Sequence, residues 1–417
     1  MAQLSADTFA FGGDLMQVEQ ALALVTARIP PIAATECVHI ADADGRVLAR
    51  SVIAPIDLPV FDNSAVDGYA VAHADLNADA ATALPLAGRV TAGQAADCPA
   101  ARGTTVRIFT GAPMPAGTDT VFMQEDIRLL DDGRVELPPG LARGANRRAR
   151  GEDIARGDQA LAKGRRLEPR DIALAAALGL SHLEVRRRPR AAVFSTGNEI
   201  CEPGMTLAPA AIYDSNRFAL TALLRRAGCE VTDLGILRDD PDTMQASLSA
   251  AAQSHDLVVT SGGVSAGEED HVRAALAAHG SLVFWRLAIK PGRPVAMGVM
   301  HGTPLVGLPG NPVAVFVTFA YLVQPLIAAM ADATLAPLLR STVIAGFKYR
   351  KKAGRREYLR VSLAQSGAQT IATKYPVDGA GVITSLTRTD GLVELGADCT
   401  SVEPGDAVAF IDYRQLT

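Results

Sequence analysis

Cysteine is scarce and scattered in this 417-residue chain, which carries no CxxC pair. The five cysteines lie at Cys37, Cys98, Cys201, Cys229 and Cys399. An odd, dispersed set is typical of a protein from a reducing compartment and provides no cysteine spacing that suits a metal site. We therefore expect a cytoplasmic protein without a cysteine-bound metal.

The chain also lacks an excess of positive charge. It has 40 Lys and Arg residues against 45 Asp and Glu residues, which gives a formal net charge of -5. A protein that binds anions by bulk electrostatics would be basic. Nucleic acid is therefore not an expected partner, and any anion must be bound by a local set of residues.

No secretory signal is expected either, since no basic segment followed by an apolar core is visible at the N-terminus. One stretch, residues 312–330, is long and apolar enough to resemble a membrane span. It begins at Asn311-Pro312, carries Gln324-Pro325 near its end and follows a glycine-rich turn. These breakers favour a buried helix of a large α/β domain, so we expect a soluble protein without a membrane partner.

The length exceeds what one hydrophobic core organises, so several domains are expected. Apolar residues recur at helical spacing near the N-terminus, at Leu15, Val18, Leu22, Val25 and Ile29. Residues 51–143 instead show short apolar runs separated by Gly, Pro and Asp, which predicts a β-rich domain. Because a helical pattern returns after it, we interpret this domain as an insertion into an elongated helical domain of residues 14–50 and 144–188.

From residue 189 the hydrophobic period changes. Short apolar runs alternate with helical segments over residues 189–336, which predicts a three-layer α/β/α domain whose mostly parallel sheet is covered on both faces. Residues 337–417 alternate apolar and polar side chains, as at Leu359, Val361 and Leu363, and predict a C-terminal β-barrel. The predicted fold class is a multidomain α/β plus β protein.

The strongest local motif is the turn that begins at Ser261, Gly262 and Gly263 and includes Ser265, directly after the apolar run of residues 256–260. Glycine lets the backbone approach a ligand, and the amides of such a turn can bind phosphate. In open α/β sheets, ligands bind beyond the carboxyl ends of the strands, where this turn must lie. A tight strand-to-helix turn without a ligand is the alternative.

Three acidic residues follow predicted strands at equivalent positions: Glu199, Asp239 and Asp270. Carboxylates near a bound anion would repel it unless a divalent cation lies between them, and Mg²⁺ is held by carboxylates together with substrate phosphates. The sequence therefore predicts a magnesium site formed by these three residues. For Asp239-Asp240 the capping of the following helix is an equal alternative.

Two basic segments are further candidates for contact with an anion. Lys290 and Arg293 lie in a loop stiffened by prolines, and a cationic loop beside phosphate-binding amides suits an anionic substrate. A second basic cluster spans residues 348–356. Solvated surface charge is the alternative for both segments.

Nine motifs together resemble the MoeA family. They are FDNSAVDGYAV (61–71), TGAPMP (110–115), RRARGEDI (147–154), FSTGNEI (194–200), YDSN (213–216), LGILRDDP (234–241), TSGGVSAGEEDH (260–271), LAIKPGRPVAMG (287–298) and GLPGNPVA (307–314). Members of this family are molybdopterin molybdenumtransferases and are related to the C-terminal part of gephyrin. The motifs occur in the same order over nearly the whole chain.

The resemblance implies functional roles for residues that match the family's motifs. Its functional acids and hydroxyl correspond to Asp67, Thr110, Asp153, Glu199, Asp239 and Asp270. Lys290 matches a substrate-binding lysine, and Pro309 and Pro312 match prolines of a site loop. Two residues depart from the family's frequent pattern: Asn198 stands where an acid is common, and Arg293 replaces a lysine while keeping its charge.

The resemblance also implies a reaction and an assembly. The expected enzyme inserts molybdate into adenylylated molybdopterin with Mg²⁺ and releases AMP. The expected assembly is a homodimer whose site lies between the α/β domain of one subunit and the β-rich insertion of the other, with molybdopterin adenylyltransferase and cofactor-receiving enzymes as further partners. The alternatives are molybdopterin adenylyltransferase itself, which shares the α/β domain, and a gephyrin-like scaffold protein.

Overall fold

A computed structural model describes residues 15–27, 29–94, 99–238, 240–263, 272, 276 and 280–416. Short strands dominate its first part. The elements there are α1 (Val18–Thr26), β1 (Thr35–His39), β2 (Val52–Ile53), β3 (Asn63–Ser64), β4 (Gly68–Val71), β5 (Thr82–Val90), β6 (Thr105–Ile108), β7 (Thr120–Met123), β8 (Arg128–Leu129), β9 (Arg134–Leu137), β10 (Arg147–Arg148), β11 (Gln159–Leu161), α2 (Pro169–Ala177) and β12 (His182–Arg186).

The segments before and after the insertion meet in one small unit. Strand β1 pairs antiparallel with β12, β2 pairs with β11, and α2 packs nearby around Leu48, Leu167 and Val185. The expectation of a helical domain is therefore only partly right, because two-stranded sheets contribute as much as the helix. Helix α1, which Pro30-Pro31 follows as predicted, packs on the α/β core instead.

The inserted residues form the predicted β-rich unit. Its six-stranded sheet has the order β7-β4-β6-β5-β9-β8, and β3 pairs with β10 beside it. The apolar runs near residues 107–110 and 119–123 become β6 and β7, which lie on either side of β4. The domain limits given above stay a prediction.

Strands and helices then alternate. The elements are β13 (Arg190–Thr196), β14 (Ile200–Cys201), β15 (Ile212–Tyr213), α3 (Asn216–Arg226), β16 (Glu230–Leu237), α4 (Pro241–Ser254), β17 (Leu257–Ser261), β18 (Ser281–Arg286), β19 (Ile289–Lys290), β20 (Pro294–Met300), β21 (Thr303–Leu308) and α5 (Pro312–Met330). The central sheet has the order β16-β13-β17-β21-β20-β18. Its first four strands are parallel, whereas β20 is antiparallel to both neighbours, so the sheet is mixed.

The register of this sheet brings the loops after its strands to one edge. Ser195 is paired with Ser261, and Ser261 with Leu308, so three parallel strands end side by side. Strand β18 runs in the same direction as β21, since both are antiparallel to β20. The loop of residues 287–293 therefore lies at the same carboxyl edge as the turn after β17.

Alternate residues of the strands pack into two separate apolar clusters. Ala191 and Val193 of β13 lie in a cluster with α1, α3 and α5, whereas Ala192 and Phe194 lie in a cluster with α4. Helices therefore pack against side chains from both faces of the sheet, as the alternation of strand residues requires.

Helix α5 is the segment that resembled a membrane span. It is the one described helix long and apolar enough for that comparison, and 78% of its most apolar window is buried inside the structure. A π-helical stretch, Phe319–Val323, precedes Pro325, whose missing N–H cannot continue the α-helical hydrogen bonds. The observed packing is that of a core helix, as predicted.

The C-terminal part forms a closed barrel. Its elements are β22 (Ser341–Ala345), β23 (Tyr349–Arg350), β24 (Arg356–Ser366), β25 (Gln369–Lys374), α6 (Thr384–Thr387), β26 (Gly391–Leu395), β27 (Ser401–Val402) and β28 (Ala407–Asp412). Five strands close in the order β24-β25-β22-β28-β26, because β26 also pairs with β24. The short strand β19 of the α/β domain joins β24 in parallel, so the barrel is hydrogen-bonded to the loop that carries Lys290.

Candidate active site

The turn after β17 occupies the centre of the carboxyl edge. Gly262 and Gly263 both have positive φ angles, +92° and +66°. A Cβ on Gly262 would lie 2.5 Å from the carbonyl oxygen of Thr196, so only glycine lets the turn pack against the end of β13. The Gly262 amide donates to the Leu308 carbonyl oxygen at 3.0 Å, which also fixes the turn against the end of β21.

Ser261 is 3% exposed, and its hydroxyl is hydrogen-bonded to other groups of the protein. The oxygen accepts a hydrogen bond from Asn216 Nδ2 at 2.8 Å, and the hydroxyl lies 3.4 Å from the Pro309 carbonyl oxygen, to which it donates. The Ser261 side chain thus connects loops of the site. Ser265, the other predicted serine of this motif, lies outside the described residues.

The predicted magnesium ligands are only partly described. Glu199 is exposed, three residues beyond β13, and its carboxylate folds back over Gly197, where an added Cβ would meet Oε2 at 2.6 Å. Asp239 and Asp270 lie outside the described residues. No group of three metal-binding side chains converges among the residues that are described, so the three-carboxylate site stays a prediction. The neighbouring Asp240 caps α4 by accepting from Thr243 N at 2.9 Å.

A cleft of about 300 Å³ opens between the α/β domain and the barrel. Its lining includes Lys290, Arg293, Pro309, Tyr349, Arg355 and Arg360. Arg293 is exposed, while Arg360 is buried and held by Ser385 Oγ and the Gly379 carbonyl oxygen, both at 3.0 Å. Four of these residues are cationic and the lining also contains two carboxylates, Glu357 and Asp378, so positive charge is in excess and the cleft suits an anionic ligand. Pro312, the second predicted loop proline, occupies the first helical position of α5 behind Asn311.

Lys290 is held by a buried carboxylate of the barrel. Its Nζ lies 3.2 Å from Glu357 Oε2 and 3.1 Å from Tyr349 Oη, and Tyr349 donates to the same carboxylate at 2.7 Å. Burial alone would lower the pKa of Lys290, but the hydrogen bonds to Tyr349 and Glu357 outweigh it and raise that pKa above its ordinary value. Burial likewise opposes ionisation of Glu357, yet hydrogen bonds from Tyr349, Arg355 and Lys290 hold its pKa below the ordinary value.

Sequence reasoning missed the barrel's contribution to this cleft. Arg355 fell in the basic cluster of residues 348–356, but Tyr349, Glu357 and Arg360 were not singled out. The alternating pattern assigned Arg360 to a polar face of its strand. Residues 357–361 of β24 are instead all buried, because other parts of the chain cover both faces of this strand.

A second polar site lies in the β-rich unit. Asp67 Oδ1 accepts hydrogen bonds from the backbone N and the hydroxyl of Thr110, both at 2.8 Å, and these bonds lower the pKa of Asp67. Arg107 adds a smaller attraction of the same sign; its guanidinium lies 4.9 Å from the ring centroids of both Tyr69 and Phe109. Asp67 and Thr110, predicted separately from two motifs, are thus brought together.

Among the residues that the structure describes, no hydrogen bond or ion pair links the two polar sites of one chain. The hydrogen bonds that connect residues 51–143 to their surroundings run to residues 144–163, for example from Leu58 N to Ile154 O and from Arg150 Nε to Asp57 Oδ2. Asp153 is exposed in that connecting segment, with its amide bonded to the Leu58 carbonyl oxygen at 3.0 Å. Within the described residues, no hydrogen bond or ion pair connects residues 51–143 with residues 189–336.

Family models match the chain in three consecutive segments. Residues 16–179 match the MoeA N-terminal region (domain I and II), residues 192–329 match a probable molybdopterin binding domain, and residues 342–413 match the MoeA C-terminal region (domain IV). The three segments follow the described architecture from the first helix to the barrel.

Curated relatives match over almost their whole length. A protein from Haemophilus influenzae named molybdopterin molybdenumtransferase is 35% identical over 96% of this chain and 100% of its own. A Mycobacterium tuberculosis protein named molybdopterin molybdenumtransferase 2 is 36% identical over 90% and 94%. The crystal structure of the molybdopterin biosynthesis moeA protein from Pyrococcus horikoshii superposes with a TM-score of 0.83 at 28% identity, covering 96% of this chain and all of that one. The chain therefore belongs to the MoeA family of molybdopterin molybdenumtransferases and is an enzyme of the transferase class.

Proposed function

We propose that this enzyme inserts molybdate into adenylylated molybdopterin, with Mg²⁺, and releases AMP. The observation that carries the proposal is the convergence of the Ser261-Gly262-Gly263 turn, the Glu199 loop and the cationic Lys290 loop at one edge of a sheet. Homologues with the corresponding name support molybdenum insertion as the reaction.

The cationic cleft suits the phosphoanhydride of an adenylylated substrate. Lys290 offers an ammonium group whose raised pKa keeps it charged at neutral pH, and Arg293 offers a planar donor at the exposed side of the same loop. The glycine turn provides a surface without side chains on which the flat pterin or its phosphate can lie close to the backbone. Electrostatics and shape therefore select a polyanion that carries a flat ring system.

Glu199 is the described member of the predicted magnesium site. Glu199 presents an exposed carboxylate at the carboxyl edge, and carboxylate oxygen is the donor that Mg²⁺ prefers. We propose Glu199, Asp239 and Asp270 as the residues that hold it. When bound, Mg²⁺ would neutralise phosphate charge during cleavage of the anhydride. Two Mo–S bonds form to the dithiolene sulfurs while one oxo ligand of molybdate leaves as water with the two thiol protons, so the molybdenum keeps its oxidation state. A second water cleaves the anhydride to give AMP and the phosphate of the product.

A homodimer supplies the second half of the site. Asp67, Thr110 and Asp153 lie in or beside the β-rich unit, which makes no hydrogen bond to the α/β domain of its own chain among the described residues. In our proposal these residues complete the site of the second copy. We expect the enzyme in the cytoplasm, where molybdopterin adenylyltransferase and cofactor-receiving enzymes are its partners.

The test is AMP release from adenylylated molybdopterin by the purified full-length chain. Release is expected only when molybdate and Mg²⁺ are both present, and it should yield a product that reconstitutes a molybdenum-free acceptor enzyme. A parallel assay with ATP and molybdopterin separates the adenylyltransferase alternative. Adenylylation by this chain alone, without molybdate-dependent AMP release, would contradict the proposal.

A further inference from the structure

Asn216, the first residue of α3, joins two loops of the site through one amide group. Its Nδ2 donates to Ser261 Oγ at 2.8 Å and to the Gly310 carbonyl oxygen at 2.7 Å. A backbone carbonyl only accepts hydrogen bonds, so the orientation of the Asn216 amide is fixed by chemistry. Both N–H groups of the side chain are therefore used to hold the turn after β17 and the loop after β21 at a set separation.

The segment that carries Asn216 is itself firmly held. Asp214 is 2% exposed and accepts from Ser195 Oγ, at the end of β13, at 3.0 Å. Arg217 is 4% exposed; its Nε donates to Asp214 Oδ2 at 2.9 Å, and its guanidinium also pairs with Asp233 of β16. The segment of residues 214–217 thus bonds to β13 and β16 and, through Asn216, to the end of β17 and the loop after β21. Asn216 is the member of this segment that reaches the ligand-facing loops.

Ser261 and the two glycines after it have different roles, because the Ser261 side chain is hydrogen-bonded within the protein. The Ser261 hydroxyl already accepts from Asn216 and donates towards the Pro309 carbonyl oxygen, so it has no free donor for a ligand. Pro309 lines the cationic cleft that also contains Lys290. The bonds from Asn216 therefore help to fix the position of the glycine turn relative to the Pro309 loop, which lines that cleft.

We propose that Asn216 is a positioning residue, which holds the glycine turn and the Pro309 loop at a fixed separation. In that arrangement the turn and the cleft bind the two ends of the anionic substrate at the same time. This inference rests on the proposed function, because it takes adenylylated molybdopterin as the ligand. Asn216 and the Ser261 side chain do not touch the substrate; the backbone at Gly262-Gly263 and the cleft do. An error of about 1 Å in such an arrangement typically costs about 100-fold in rate.

The experiment measures KM and kcat for AMP release from adenylylated molybdopterin, with full-length wild type and four variants. Asn216→Asp keeps the side-chain shape but has no donor for the Gly310 carbonyl, and Asn216→Ala removes both bonds. Ser261→Ala removes the bond from Asn216 and the longer bond to the Pro309 carbonyl oxygen, and it keeps the bond from Asn216 to Gly310. Ser215→Ala is the matched control, because Ser215 is exposed and makes no side-chain capping bond at the same helix end.

We expect kcat/KM to fall about tenfold or more in both Asn216 variants, mainly through KM, and by less in Ser261→Ala. The double variant Asn216→Ala with Ser261→Ala should lose less than the sum of the two single losses, because both changes remove the bond between Asn216 and Ser261. Ser215→Ala should match wild type. Thermal unfolding of each variant distinguishes a positioning role from a general loss of stability.

Unchanged KM and kcat in both Asn216 variants would overturn the inference, as would additive losses in the double variant. A lowered unfolding temperature with wild-type kinetics well below that temperature would overturn it too, in favour of a purely structural role. If an Asn216 variant does not fold, Ser261→Ala decides by the same criteria. Absence of molybdate-dependent AMP release in the wild type would instead reject the proposed function.

Discussion

Lys290 and Glu357 are register partners in a two-strand pairing that joins two domains, and their Nζ and Oε2 atoms lie 3.2 Å apart. The carboxylate is 1% exposed, whereas the lysine side chain is 49% exposed towards the cleft. A buried anion of the barrel therefore orients a cation of the α/β domain that remains accessible to substrate. This relationship explains why the barrel contributes to the site although it lies outside the α/β sheet.

Glu357→Gln should destabilise the protein by about 1–3 kcal/mol at neutral pH, because buried hydrogen bonds to three partners lose their charged acceptor. The pKa of Glu357 is lowered in the folded protein, so its stabilising effect is present above the ordinary carboxyl pKa and is lost as the pH falls through the folded pKa. Urea unfolding should therefore show a difference from wild type that shrinks in acid. A difference that grows in acid would contradict this assignment.

Glu357→Gln should also weaken substrate binding more than it slows the chemical step. Without the carboxylate charge, Lys290 loses the ion pair that holds its Nζ beside the cleft. We expect a higher KM for adenylylated molybdopterin with kcat changed less. Lys348→Gln is the control, because Lys348 belongs to the same basic cluster but pairs with Glu403 and does not line the cleft.

Arg217→Met should cost about 3–5 kcal/mol of unfolding free energy, because it leaves buried Asp214 without its charged partner. Asp233 and Glu202 would lose the same cation. Arg225→Met in the last turn of α3 is the matched control, since Arg225 is exposed and a surface change there should stay within about 0.5 kcal/mol. Chemical denaturation of both variants at neutral pH measures their free energies of unfolding. Equal losses of that free energy would show that the ion pairs of Arg217 do not stabilise the fold more than an exposed arginine does.

The edge of the α/β sheet could be predicted from the sequence because hydrophobic periodicity is local. Apolar runs near residues 191–195 and 256–260 were recognisable as buried parallel strands, and parallel strands place their following loops at one edge. This reasoning places Glu199 and the turn at Ser261 at the same edge of the sheet. The helical segments predicted to alternate with strands over residues 189–336 include Asn216–Arg226 and Pro241–Ser254 in the structure.

What sequence could not predict depends on contacts between distant segments. Strand Pro294–Met300 was not assigned, because the preceding prolines read as a stiff loop and its pairing partner is set by the sheet. The pairing of Lys290 with Glu357 joins residues 67 positions apart. The hydrogen bond that the Ser261 hydroxyl accepts likewise comes from Asn216. Hydrophobic periodicity identifies that residue only as the start of a helix.

Thr110→Ala should move the acid side of the pH–rate profile to higher pH. The Thr110 backbone bond and then its hydroxyl bond lower the pKa of Asp67, so removing the hydroxyl lets that pKa rise towards its ordinary value. If the reaction requires ionised Asp67, the variant loses activity at a higher pH than wild type as the pH falls. Thr110→Ser keeps the hydroxyl and should keep the wild-type profile. An identical shift in Thr110→Ser would show that the hydroxyl is not the cause.

Glu199→Gln and Asn198→Asp should change the Mg²⁺ requirement in opposite directions. Glu199→Gln removes the charge of a proposed ligand, so the Mg²⁺ concentration for half-maximal AMP release should rise by at least about tenfold, the low end of the cost of losing even an outer partner. Asn198 is exposed beside it, and Asn198→Asp adds a carboxylate next to the cation, which should lower that concentration. Titration of Mg²⁺ after removal of metal with a chelator measures both. Shifts in the same direction would mean that charge beside Glu199 does not govern metal binding, and the proposed ligand set would then be wrong.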